Sequence, residues 1–161
     1  MTPKDPYVAS RCVEIELLLA DAKGWAAHDE KLGAHLAAYL TVLITGVVED
    51  CIEHLVLQTV SKTQDHEVRR FVGEVLGQRF RNPDWGKISG LLRQFSEEYQ
   101  RQFTARIPHN SPAADALTSI VSYKNDLSHV GTWKLQLTVA EVDSYNHSII
   151  PILEALEDIL T

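Results

Sequence analysis

The residues best suited to chemistry fall in one stretch, Ser122-Tyr123-Lys124-Asn125-Asp126-Leu127-Ser128-His129-Val130-Gly131. It brings an ammonium, an amide and an imidazole within six positions. A histidine, with an unperturbed pKa of about 6.5, is the side chain most able to give or take a proton near neutral pH. A lysine supplies a compact, fixed positive charge. Asn125 precedes His129 by one helical turn, so it shares a face with it and can orient the ring or a ligand. Lys124 is five residues from His129, about 140° round an ideal helix. On one unbroken helix the two side chains therefore leave in different directions. The structural alternative is simple: Lys124 snorkels its ammonium to water and His129 caps a helix.

The element that must position these groups is a helix ending at Gly131, a residue suited to the left-handed position past a last turn. Leu117, Ile120, Val121 and Leu127 make its apolar stripe, and Lys124 falls where that stripe predicts an apolar residue. Upstream, Val8, Cys12, Ile15, Leu18, Leu19 and Ala22 predict a helix from Tyr7 to about Ala27. Residues 28–32 read equally as a connection or as continuing helix. A second helix, roughly Leu32 to Ser61, is apolar nearly all round and therefore central. Its Gly46 costs about 1 kcal/mol against alanine, which close approach of another helix would offset. Asp65 is placed to cap a third helix with Val68, Phe71, Val72, Val75 and Leu76 facing inward. Asn82 and Pro83 fit the cap and first position of a fourth, with Trp85, Ile88, Leu91, Leu92 and Phe95 inward, running on bent or broken through Tyr99 and Phe103. Ser111 and Pro112 open the fifth, which ends at the stretch above. Trp133 to Leu137 reads as a short extended connection. Thr138 and Glu141 fit a capping box, so a last helix runs to about Leu160, with a kink at Pro151. The fold class expected is an all-α bundle of about five to six helices, a single domain over residues 7–161 behind a frayed tail at 1–6.

Composition narrows the classes of function. The chain has 161 residues and a net charge of −7, which argues against broad, non-specific nucleic-acid binding. The charge is uneven: residues 67–106 carry 8 basic and 5 acidic side chains, while the flanking stretches are acidic. A polyanion would be drawn to that middle third, although a solvated face of mixed charge explains any single arginine there. No apolar run approaches the roughly 18 residues that span a bilayer. The first residues lack signal-peptide character. A cytoplasmic protein without membrane contact is expected. Cys12 and Cys51 read as buried thiols. His28, His35, His54, His66, His109 and His147 show no metal-ligand spacing, so no metal or cofactor is expected. Glu49 and Asp50 could approach the chemistry from the central helix, with a solvated or ion-paired acid as the simpler reading. Trp85 and Trp133 could stack on bases but also suffice as core anchors.

Two segments and the helix order resemble the HEPN superfamily of small helical domains, more closely its RiboL-PSP-HEPN branch. Lys124-Asn125-Asp126-Leu127-Ser128-His129 is similar to the family's basic-Asn-x-aliphatic-small-His signature near a helix end. Arg79-Phe80-Arg81-Asn82-Pro83-Asp84-Trp85-Gly86-Lys87-Ile88 is similar to the branch's RFxNPxWxKI region. The likeness runs from about residue 30 onward. It implies a bundle that dimerises, with signature residues of both subunits in one cleft. It implies a metal-independent endoribonuclease of a stress or phage-defence kind, with an antitoxin-like partner, or else a module that binds RNA or nucleotide without cutting. The site it implies has His129, Lys124 and Asn125 as catalytic residues and Arg79, Arg81, Lys87, Asp126 and Ser128 as RNA contacts. The family's basic residue is usually arginine; here it is Lys124, a point charge where arginine offers a planar fork.

Overall fold

The computed structural model describes residues 3–130 and 137–161, without the side chains of Gln78, Arg79, Ser128, His129 and Val130. The predicted connection at Trp133–Gln136 and the cap at Gly131 lie outside the described residues. Among those described, every element is a helix: α1 (Pro6–Ala26), α2 (Glu30–Ser61), α3 (His66–Arg79), α4 (Trp85–Phe95), α5 (Glu97–Arg106), α6 (Pro112–Val130) and α7 (Val139–Leu160). The all-α class is as expected. Seven helices rather than five to six arise because the fourth breaks at Ser96. That residue is extended, ends α4 through its N–H to the Leu92 carbonyl at 2.9 Å, and caps α5 by accepting the Glu98 N–H at 3.1 Å.

Buried Val8, Cys12, Ile15, Leu19 and Ala22 step along α1 by fours and threes. That spacing is a seam which packs mainly on one helix, α2, with α7 alongside. Leu18, expected inside, sits about 100° off the seam and is 41% exposed. The seam lies on α2, which also carries α3, α6 and α7. The long apolar helix is therefore central, as its composition implies. Its buried Thr41 and Thr45 return their hydroxyls to the Ala37 and Thr41 carbonyls at 2.8 and 2.9 Å, which removes the cost of burying them. Cys12 and Cys51 are buried in the same core, and burial pushes their thiols up to about 11 and about 12. Both stay protonated and inert near neutral pH.

Local signals hold where they depend on local bonds. Asp65 caps α3, accepting from the Glu67 and Val68 N–H groups. Ser111 and Pro112 open α6. Thr138 and Glu141 form the full capping box of α7, which continues through Pro151. Other expectations give way, and Phe95, expected inward, is 37% exposed. Asp84, not Asn82, caps α4, accepting the Lys87 N–H at 2.8 Å. Asn82 has φ 53, a left-handed backbone incompatible with the extended geometry of a cap. Val68 and Phe71 face outward, Phe71 65% exposed. Among the described helices α3 rests on α2 alone, so only a narrow stripe ending at Leu76 is covered. No described atom lies within 4 Å of a Cβ built at Gly46, so the expected helix approach is not made there within the described chain.

Candidate functional site

The two stretches singled out above meet at Asn82. This residue sits in the α3–α4 loop in the left-handed region, which asparagine tolerates better than most side chains. Three of its polar groups are taken by charged side chains from three different helices. Its N–H donates to Glu49 Oε1 of α2 at 2.6 Å. Its carbonyl accepts from Lys87 Nζ of α4 at 3.0 Å, and the same ammonium reaches the Arg81 carbonyl at 2.7 Å. Its side-chain oxygen accepts from Lys124 Nζ of α6. Glu49 Oε2 is 3.6 Å from Arg81 Nη1, and Arg81 Nη2 donates to the Gly77 carbonyl at 2.8 Å, closing the end of α3.

Glu49 is 14% exposed at its side chain, whereas Arg81 is 64% exposed. One largely buried carboxylate thus anchors a loop around which three cations gather: Arg81, Lys87 and Lys124. A cluster with a positive excess attracts anions despite the overall net charge of −7. Lys124 is half-buried, consistent with its place on an otherwise apolar stripe.

Of the predicted site residues, the structure brings Arg81, Lys87 and Lys124 together. Arg81 holds the Gly77 carbonyl near the end of α3, and Lys87 holds the Arg81 and Asn82 carbonyls of the loop. Asn125 is half-buried one position further on, and Asp126 is exposed. Arg79, Ser128 and His129 lie on described helical backbone, but their side chains lie outside the described residues. α6 runs unbroken through positions 124 and 129 to Val130. The two positions therefore stay about 140° apart on one helix. Glu49 joins the cluster, whereas Asp50 turns to Arg11 at 3.3 Å.

Trp85 is an anchor: its indole N–H donates to the Ile107 carbonyl at 2.8 Å and its ring meets His109 edge-on at 4.8 Å. His54 lies 3.2 Å from the buried Asp5 carboxylate under a stacked Tyr7 ring. Among the described residues no three His, Cys, Asp or Glu gather as metal ligands would, and no helix is long and apolar enough to cross a membrane. The hub role of Asn82 was missed from sequence; its one local signal is an asparagine between an arginine and a proline. In comparisons with known proteins no family model, curated protein or solved structure matches the chain.

Proposed function

We propose that this chain is a HEPN-type RNA-processing domain, a metal-independent endoribonuclease whose cleft forms between two copies. The observation that supports it best is the bond between Lys124 and Asn82. It joins the two segments carrying the family likeness, 42 residues apart, at a cluster of cations suited to a phosphodiester. In this reading His129 moves the proton of the attacking 2′-hydroxyl or of the leaving group. Lys124 and Arg81 stabilise charge on the phosphate, and Asn125 orients the ring or the sugar.

In this reading two copies share the cleft, and the divergence of positions 124 and 129 on one unbroken helix supports it. The outward row of α2 offers a surface for the second copy. Leu32, Tyr39 and Val42 lie along it, with Tyr39 59% exposed, and the row passes Gly46 to reach Glu49.

Mixing inactive Lys124→Ala with inactive His129→Ala tests the shared cleft directly. Random pairing of two-fold dimers restores about a quarter of wild-type cleavage in EDTA, because only half the dimers are mixed and each has one intact cleft. Cleavage by His129→Ala alone, or none by the wild type, removes the nuclease. One observation favours a second reading, a module that binds RNA or nucleotide without cutting. A lysine held by an amide offers phosphate a single point of charge where arginine would grip it with two bonds. Retained RNA affinity without cleavage selects that reading.

A further inference from the structure

α3 and α4 leave their shared loop for different neighbours. Among the described helices α3 packs on α2 alone, while α4 packs on α5 and α6. An open groove of about 360 Å³ remains between them. Val75, Leu76 and Phe80 form one wall. Gly90 and Leu91 form the other, with Lys87 at the loop end and Gln94 at the far end.

Three observations bear on what fills it. The first is continuity. Lys87 lines the groove, and its ammonium holds the Arg81 and Asn82 carbonyls beside Lys124. A ligand whose phosphate rests on the cation cluster has this groove next to it. The second is size. From Lys87 to Gln94 the wall is two helical turns, roughly 10 Å. That volume, about 360 Å³, sits at the lower end of small-molecule sites. The third is chemistry. The walls are apolar and include one half-buried aromatic ring, Phe80, with a single exposed carboxamide, Gln94, at the end. The groove also lies in the basic third of an acidic chain.

We infer that the α3–α4 groove is a nucleobase subsite, taking the base of the nucleotide whose phosphate sits at Lys124 and Arg81. This rests on the RNA reading above and adds to it a place where the base is held. Phe80 and Leu91 sandwich the base, and Gln94 reads its edge.

Calorimetric titration of the full chain at fixed salt, with adenosine 5′-monophosphate and with ribose 5-phosphate, isolates the contribution of the base. The nucleotide should bind roughly ten-fold or more tightly than the sugar phosphate, as expected for one stacked base. Gly90→Leu fills the groove, and a Cβ at Gly90 meets no described atom within 4 Å, so the helix accepts it. That variant should lose the nucleotide's advantage while keeping its affinity for ribose 5-phosphate. Gln94→Ala, at an exposed position, should change the ratio of adenosine to uridine 5′-monophosphate affinity. Equal binding of nucleotide and sugar phosphate overturns the inference, as does an advantage that survives Gly90→Leu, which would leave the groove to a protein segment. If neither probe binds and Lys124→Ala changes nothing, the RNA reading fails with it. Phosphate binding that depends on Lys124 without any base advantage removes the subsite alone.

Discussion

Glu49→Ala is the perturbation that asks most of the site. The carboxylate is 14% exposed and accepts the Asn82 N–H at 2.6 Å. A hydrogen bond to a charged acceptor contributes about 1.5–3 kcal/mol. The second contact, to an Arg81 that is 64% exposed at 3.6 Å, adds only about 0–1 kcal/mol. The expected loss is therefore about 2 kcal/mol, or roughly 4–8 °C in melting temperature for a chain of this size. Glu49→Gln keeps an acceptor for the N–H and should lose about 1 kcal/mol or less. RNA affinity separates charge from geometry. Removing a negative charge beside three cations should tighten RNA binding in both variants if electrostatics alone matters. If the carboxylate positions the loop, Glu49→Ala weakens binding while Glu49→Gln keeps or tightens it. Urea unfolding and gel-shift titration at fixed salt give the two readouts. Equal destabilisation of both variants, with equal gains in RNA affinity, would refute the view that this bond sets the loop.

Asn82→Gly keeps the left-handed backbone and loses only the acceptor for Lys124, whereas Asn82→Val also strains φ 53. Urea unfolding should find valine less stable than glycine by about 1–2 kcal/mol. Burial pushes the Asp5 carboxyl up, but the Val8 N–H, His54 and Gln58 outweigh it and hold it below its ordinary value. The stability it adds is complete above the unfolded-chain pKa of about 3.9 and is lost as pH falls through the lower folded value. Wild-type stability should thus fall more steeply below about pH 4 than that of Asp5→Asn, as followed by acid titration of helical circular dichroism. Gly46→Ala should raise stability by about 0.5–1 kcal/mol in urea, since the helix gains propensity and the added Cβ meets no described atom within 4 Å.

The sequence by itself determined what bonds within a few residues can settle. Asp65, Ser111 with Pro112, and Thr138 with Glu141 start helices because a side chain reaches a backbone N–H two or three residues ahead. The unbroken apolar character of α2 placed it at the centre, since such a surface must be covered on most sides. Packing decided the rest. Leu18, Val68 and Phe71 follow helical spacing yet lie exposed, because periodicity gives the apolar rows and neighbouring helices decide which of them are covered. The cation cluster was legible only as separate residues. It exists because Asn82 takes partners 33 and 42 positions away, from Glu49 and Lys124, and no local pattern encodes contacts at that range.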